Sequence, residues 1–136
     1  MRQRFYTAEA GEYAAVILAA GMSSRMKAFK PLLDIGGKPA LFRLEESVKT
    51  AGVEDIVVVT GYGAELLREE LAARHLTEAY NSGYRSGMFS SVRTGLSEAV
   101  KRWPGKKGFF LMPADCPLIS AETLRALMEA AENALE

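Results

Sequence analysis

The sequence predicts an α/β fold in which helices cover both sides of a mainly parallel β-sheet. Three observations support this fold class. Short apolar runs, typical of strands that are covered on both faces, recur along the chain. Amphipathic segments with helical spacing alternate with these runs. No internal repeat, low-complexity tract or linker interrupts the alternation, so the elements are expected to form one layered unit.

Three apolar runs are predicted to lie side by side and parallel at the centre of the sheet. They are Tyr13–Ala19, Asp55–Thr60 and residues 108–112. Their apolar character continues through successive residues instead of alternating, as expected where both faces of a strand are covered. Residues 76–80 are a weaker strand candidate.

Four helices are predicted, over residues 39–51, 63–74, 88–103 and 120–135. Ser120 is expected to cap the last of them. The residues expected to face the core are Leu41, Leu44 and Val48 in the first helix, Leu66, Leu67 and Leu71 in the second, and Val92, Leu96, Val100 and Trp103 in the third.

Composition indicates one domain, residues 13–136, after a flexible segment of residues 1–12. The 17 basic and 17 acidic residues cancel, which argues against a general nucleic-acid coat and against an anionic membrane surface as partner. The apolar run over residues 14–20 is too short to span a bilayer. A single cysteine, Cys116, excludes an intrachain disulfide framework and suits a reducing compartment, so a cytoplasmic location is expected.

Chemically reactive residues follow the predicted strands, at the edge of the sheet where ligands bind in parallel folds. The loop after the first strand reads LAAGMSSRMKAFKPLL and places Arg25, Lys27 and Lys30 within six residues. Such cations repel one another unless an anion lies among them. Backbone N–H groups around Gly21 suit phosphate oxygens, and Asp115 can hold Mg²⁺ together with those phosphates. These residues together indicate a nucleoside triphosphate site.

Each feature also has a simpler structural interpretation. The glycine and serines of the first loop, from Gly21 onward, could form only a tight turn. Lys30 could be a solvated surface lysine, and Asp115 could belong to a structural turn between prolines. His75 is expected to cap a helix C-terminus, and Cys116 has no Cys/His cluster around it in the sequence that would support zinc.

Three linked segments carry a family resemblance. LAAGMSSRMKAFKPLL is similar to LAAGxSxRMGxxKxLL, NSGYRSGMFSSVRTGL is similar to an N…GM..S...G segment, and LMPADCPLIS is similar to a P-x-D-x-P segment. Over residues 14–119 the chain thereby resembles the molybdenum-cofactor nucleotidyltransferase-like family, within the GT-A-like sugar-phosphate nucleotidyltransferases. The resemblance implies a three-layer, Rossmann-like α/β/α fold.

The LAAG form is similar to the branch of this family that uses CTP, with Mg²⁺, to make molybdopterin cytosine dinucleotide. The resemblance implies transfer of CMP to a phosphorylated acceptor with release of pyrophosphate, and a molybdoenzyme as the recipient of the product. It assigns catalysis to Lys30, Arg25 and Asp115, and makes Asp115 the metal ligand. The expected nucleotide-binding residues are Leu18, Ala19, Ala20, Gly21, Ser23, Ser24, Asn81, Gly87, Ser90 and Ser91.

Two departures from the family pattern keep alternatives open. Lys27 stands where the family has glycine, and the chain ends one helix after Asp115, where family members continue. A C-terminally truncated chain is expected to leave a sheet edge or helix face bare and to form a homo-oligomer. The alternative functions are a sugar- or alditol-phosphate cytidylyltransferase and a nucleotide-binding module that lacks catalysis.

Overall fold

The structure, a computed structural model, describes residues 8–21, 29–116 and 118–134. The strands are β1 (Tyr13–Ala19), β2 (Asp34–Ile35), β3 (Lys38–Pro39), β4 (Asp55–Thr60), β5 (Thr77–Tyr80) and β6 (Gly108–Pro113). The helices are α1 (Ala40–Thr50), α2 (Ala64–Ala73), α3 (Met88–Arg102) and α4 (Ala121–Ala134). Within these described residues, no helix is both long and apolar enough to cross a bilayer.

The main sheet has the strand order β5-β4-β1-β6, and every neighbouring pair is parallel. The α/β fold class is therefore confirmed, as is the prediction that β1, β4 and β6 lie side by side. The prediction that all three lie at the centre is wrong for β6. In the described part of the chain β6 pairs only with β1, and its Leu111 is 42% exposed.

Helices cover the sheet on both sides, which makes three layers. Along β1, Ala15 and Ile17 point to the face covered by α1, α2 and α4, while Val16 points to the face covered by α3. This alternation follows from the pleat of the strand, which sends successive side chains to opposite faces. The fully buried Ile17 and Val16 show why an uninterrupted apolar sequence was needed.

The third helix packs on the sheet through small residues. A Cβ placed on Gly95 would lie 2.4 Å from Val16 Cγ1 and 2.6 Å from Val59 Cγ2, so only glycine fits at this distance. Ser91, Gly95 and Ala99, spaced four apart, form the buried face of α3. Because this face points at the sheet, Val100 is 54% exposed, and its predicted position in the core is wrong.

The other predicted helix faces are largely confirmed. Leu41, Leu44 and Val48 of α1 are fully buried, but Leu66 of α2 is 58% exposed. Its helix buries Ala64, Leu67 and Leu71 instead. Ser120 caps α4 as expected, because its Oγ accepts the Thr123 N–H at 3.1 Å.

The short hairpin of β2 and β3 lies between β1 and α1 and was not predicted. Its turn consists of Gly36 and Gly37, whose φ values of 62° and 89° are the left-handed values that a two-residue hairpin of this kind requires. The Gly-Gly pair was the sequence signal. The hairpin leads directly into α1, which begins after Pro39.

Residues 8–12 belong to the segment expected to be flexible, but they pack against α4. The Ala8 N–H donates to Glu129 Oε2 at 2.9 Å, and the Ala8 carbonyl accepts from Arg125 at 3.2 Å. The side chains of Ala8 and Ala10 are buried. Residues 8–12 are thus in contact with the folded domain, while residues 1–7 lie outside the described part of the chain and the flexible segment stays a prediction.

Candidate functional site

The candidate site lies where the order of the strands reverses. The strands β4 and β5 are added one after the other on one side of β1, and α3 then crosses the opposite face of the sheet to β6 on the other side of β1. The loops after β1 and β6 therefore leave in different directions and open a crevice at the carboxyl ends of these strands. A cavity of about 420 Å³ occupies this crevice.

Among the residues that the structure describes, four separate segments line the cavity. They are the end of β1 and the residues after it, the turn that begins at Lys30, the start of α3, and the turn after β6. Of the residues predicted from sequence, those on the cavity wall are Leu18, Ala19, Ala20, Gly21, Lys30, Gly87, Ser91 and Asp115. Arg25, Ser23 and Ser24, which the sequence placed in the same site, lie outside the described residues, as does Lys27.

Backbone hydrogen bonds hold Asp115 beside the end of β1. The Ala114 N–H donates to the Leu18 carbonyl at 2.8 Å, which continues the pairing of β1 with β6 by one residue beyond the strand. The Cys116 N–H then donates to the Pro113 carbonyl at 3.2 Å and closes a turn. The exposed carboxylate of Asp115 is thereby placed at the mouth of the cavity.

Lys30 begins a single 3₁₀ turn that runs to Leu32, with the buried Pro31 in its first positions. The Leu33 N–H donates to the Lys30 carbonyl at 3.0 Å, and the Ala40 N–H donates to the Leu33 carbonyl at 2.9 Å. The turn is thus tied to the start of α1. The half-buried Lys30 lines the cavity and adds a cation to its wall.

The start of α3 supplies a positive helix end to the cavity. Gly87 precedes the helix with a φ of 104°, a value that favours glycine. The first N–H groups of a helix have no partners within it, and a 15-residue helix such as α3 carries a partial positive charge at this end. Both properties suit a phosphate or another anion.

Asn81 and Ser90 do not line the cavity but support its wall. Asn81 is only 5% exposed, and its Nδ2 donates to Ser90 Oγ at 2.9 Å and to Ser91 Oγ at 3.0 Å. Its Oδ1 accepts the Gly83 N–H at 2.9 Å. The Ser90 hydroxyl in turn donates to the Gly87 carbonyl at 2.7 Å. Through these hydrogen bonds the two residues hold the loop before α3 in place.

Sequence reasoning missed several side chains on the cavity wall, and the most informative of them are Tyr84 and Arg85. The Arg85 guanidinium lies 5.7 Å from the centroid of the Tyr84 ring and adds a second cation to that of Lys30. Both residues fall inside the NSGYRSGMFSSVRTGL segment. That segment was the available signal, but only its glycine, asparagine and serine residues had been assigned to the site.

The side chains that line the cavity fit a magnesium ion only when a nucleotide is bound with it. Among residues 8–21, 29–116 and 118–134 there is no group of three or more His, Cys, Asp or Glu side chains that could hold a metal ion. Mg²⁺ bound with a nucleotide needs only one or two carboxylates, because phosphate oxygens and water complete its octahedron. Asp115 satisfies this smaller requirement, and a preformed all-protein metal site does not fit these residues.

Comparison with known proteins identifies the family. Residues 15–135 match the model of the MobA-like NTP transferase domain. The chain belongs to this family. The NTP transferase domain is also 35% identical over 126 residues to the bifunctional protein GlmU of Staphylococcus epidermidis. That alignment covers 88% of this chain and 26% of GlmU, so the chain spans about a quarter of the length of this curated relative.

Solved structures with the same fold include two microbial proteins. A nucleotidyl transferase from Methanothermobacter superposes with a TM-score of 0.74 at 28% identity, over 86% of this NTP transferase domain and 56% of that chain. Rv0371c from Mycobacterium tuberculosis superposes with a TM-score of 0.73 at 25% identity, over 92% of this domain and 62% of that chain. The architecture is that of the GT-A-like nucleotidyltransferases.

Proposed function

We propose that this NTP transferase domain binds CTP in the cavity beside β1 and serves the transfer of CMP to the phosphate of molybdopterin, with release of pyrophosphate. One observation carries the proposal: the cavity at the strand reversal collects residues from all three segments that resemble the family. It places the cations Lys30 and Arg85 and the carboxylate of Asp115 around one space of about 420 Å³. A triphosphate is the ligand that this combination suits.

The chain's own residues contribute binding and charge stabilisation. In the proposed reaction an oxygen of the acceptor phosphate forms a bond to the α-phosphorus, and the bond from that phosphorus to the bridging oxygen of pyrophosphate breaks. Lys30 would donate to the oxygens on which negative charge grows, while the N–H groups at the start of α3 would bind the phosphates. When bound with the nucleotide at Asp115, Mg²⁺ would neutralise phosphate charge. Transfer of this type requires no covalent nucleophile.

The choice of CTP rests on the LAAG sequence of the first loop, which is similar to the cytidylyl-transferring branch. The acceptor is supported by the same resemblance and by no contact in the structure. A sugar or alditol phosphate is therefore the alternative acceptor. A module that binds nucleotide without transfer is the second candidate, because Asp115 is the one carboxylate that lines the cavity among the described residues.

The test separates binding from transfer. CTP, GTP and ATP are titrated into the protein with and without Mg²⁺, and pyrophosphate release is then followed with molybdopterin and with sugar or alditol phosphates. We expect Mg²⁺-enhanced binding that favours CTP, and release that depends on molybdopterin. Binding without release for any acceptor would support the module, and the absence of binding by all three nucleotides would contradict the proposal.

Two variants connect the result to the cavity. Lys30→Ala should reduce pyrophosphate release, whereas Lys101→Ala should leave it unchanged, because Lys101 is exposed in the last turn of α3 at the end away from the cavity. The expected homo-oligomer and the molybdoenzyme partner remain proposals. Sedimentation and co-purification test them independently of the chemistry.

A further inference from the structure

Three aromatic rings form a row beside the cavity. We call Phe29, Tyr62 and Tyr84 the aromatic row. The ring centroids of Phe29 and Tyr62 are 6.3 Å apart with planes at 61°, and those of Tyr62 and Tyr84 are 6.3 Å apart with planes at 57°. Tilted and edge-on arrangements at such distances are attractive. Tyr62 is the middle member and joins the other two.

Two glycines in the loop after β4 make room for the outer rings. A Cβ on Gly61 would lie 2.7 Å from the Tyr84 Cβ, and a Cβ on Gly63 would lie 2.8 Å from the edge of the Phe29 ring. Gly63 also has a φ of 72°, which side chains rarely adopt. The loop GYG therefore brings its backbone against both outer members of the row and sends the Tyr62 ring between them.

Both ends of the aromatic row lead to the cavity. Phe29 directly precedes Lys30, and its carbonyl accepts the Leu32 N–H at 3.1 Å, so the Phe29 backbone is part of the turn that carries the cation. At the other end, Tyr84 itself lines the cavity. The Tyr62 N–H donates to the Ala20 carbonyl at 3.4 Å, which ties the middle member to the loop after β1.

Tyr62 contributes little to the core, since 44% of its surface is exposed. Its side chain lines neither the cavity nor the buried clusters on either face of the sheet. A residue placed in this way has little effect on global stability, yet it bridges the two walls that carry Lys30 and Tyr84. Its ring contacts therefore point to a role in the geometry of the site.

We propose that Tyr62 is a positioning residue that holds the Lys30 turn at a set distance from the Tyr84 wall. The inference rests on the proposed function for its catalytic consequence. Truncation of the ring would let the turn move, and a displacement of about 1 Å at a reacting group can cost roughly 10²-fold in rate. Binding of the nucleotide would suffer less, because the start of α3 and Asp115 remain in place.

The test compares Tyr62→Ala, Tyr62→Phe and the control Leu66→Ala, which removes a side chain that is 58% exposed two residues into α2. Tyr62→Ala should lower kcat of pyrophosphate release by roughly 10-fold to 10²-fold, with a smaller change in KM. Tyr62→Phe should restore both constants, because it keeps the ring. Leu66→Ala should match wild type, and all three should melt close to the wild-type temperature.

A double variant shows whether Tyr62 acts through Lys30. In a Lys30→Ala background, Tyr62→Ala should cause little further loss of kcat. Equal losses with and without Lys30, a wild-type kcat for Tyr62→Ala, or no recovery in Tyr62→Phe would overturn the inference.

Amine labelling read by mass spectrometry tests the position of Lys30 without any substrate. Tyr62→Ala should raise the labelling rate of Lys30 several-fold, while that of Lys101 stays unchanged. An unchanged rate at Lys30 overturns the inference even if the protein is active. A raised rate in a protein that neither binds CTP nor releases pyrophosphate supports the positioning role and refutes the proposed function, so the two failures are distinguishable.

Discussion

Gly95→Ala is expected to destabilise the protein, although helix propensity alone predicts the opposite. Gly95 lies in the interior of α3, where replacing glycine by alanine normally stabilises a helix by about 1 kcal/mol. The new methyl, however, would lie 2.4 Å from Val16 Cγ1 and 2.6 Å from Val59 Cγ2. These distances are far inside van der Waals contact, so α3 or the sheet must move.

The magnitude follows from the surroundings of the two valines. Val16 and Val59 are fully buried, and β-branching restricts rotation about χ1, so neither methyl can turn aside at low cost. Overpacking of a core costs about 1–3 kcal/mol, and two simultaneous contacts favour the upper end. After the gain of about 1 kcal/mol from helix propensity, a net loss of about 2 kcal/mol is expected. For a chain of this size this lowers Tm by about 6–10 °C.

The assay is urea and thermal unfolding followed by circular dichroism. Ser97→Ala, on the exposed side of α3, is the control for helix propensity and should be neutral or slightly stabilising. Combining Gly95→Ala with Val16→Ala should cost less than the sum of the two single substitutions, because Val16 Cγ1 is then absent and the new methyl fills part of its space. A Gly95→Ala protein as stable as wild type, or more stable, would refute the close helix–sheet packing described above.

Three further predictions concern the site and the acid stability of the fold. Lys30→Ala in an active form should lower turnover by roughly 10²–10³, while CTP binding changes less. Lys27→Ala should have only a mild effect on turnover. A larger loss of turnover for Lys27→Ala than for Lys30→Ala would mean that the wrong lysine was assigned. Asp115→Asn should weaken CTP binding measured with Mg²⁺ and leave binding in EDTA unchanged, and equal weakening in both would contradict a metal role. The Arg68 guanidinium, through its hydrogen bonds, holds the pKa of Glu78 below its ordinary value of 4.5, so the stabilisation is present above pH 4.5 and is lost as the pH falls through the lowered pKa. Glu78→Gln should therefore reduce the slope of the unfolding free energy against pH on the acid side. An unchanged slope would contradict this stabilising role of Glu78.

The strands could be predicted from sequence because their signal is local. The ranges Tyr13–Ala19 and Asp55–Thr60 agree with the structure residue for residue, since an apolar run between turn residues is enough to define a strand covered on both faces. The same information predicted a crevice where the structure has its cavity, because parallel strands bring their following loops to one edge. The position of each strand within the sheet could not be predicted in the same way. The apolar composition of β6 did not distinguish a central strand from the edge position that it occupies among the described residues.

The packing of α3 could not be predicted because it depends on Gly95, a residue without a side chain. Hydrophobic periodicity gives weight to large residues and therefore placed Val100 in the core. The helix instead packs on the sheet through the face of Gly95 and Ala99, where its backbone lies close to the strands. The support that Asn81 gives to the loop before α3 was equally hidden. The sequence resemblance assigned Asn81 to nucleotide binding, and nothing in the sequence showed that its side chain is buried with three hydrogen-bonded partners.

The segment N…GM..S...G acquires a physical meaning from these contacts. Asn81 holds the loop through the serine hydroxyls, Gly87 adopts the backbone conformation that starts α3, and the largely buried Ser91 forms part of the cavity wall. Gly95 then lets the middle of the helix settle against Val16. These four of the five matched positions thus serve one result, which is to set the positive end of α3 at a defined height above the carboxyl ends of the strands. A nucleotide held by that helix end would depend on Gly95 although Gly95 does not line the cavity, so Gly95→Ala should weaken CTP binding even where the protein remains folded.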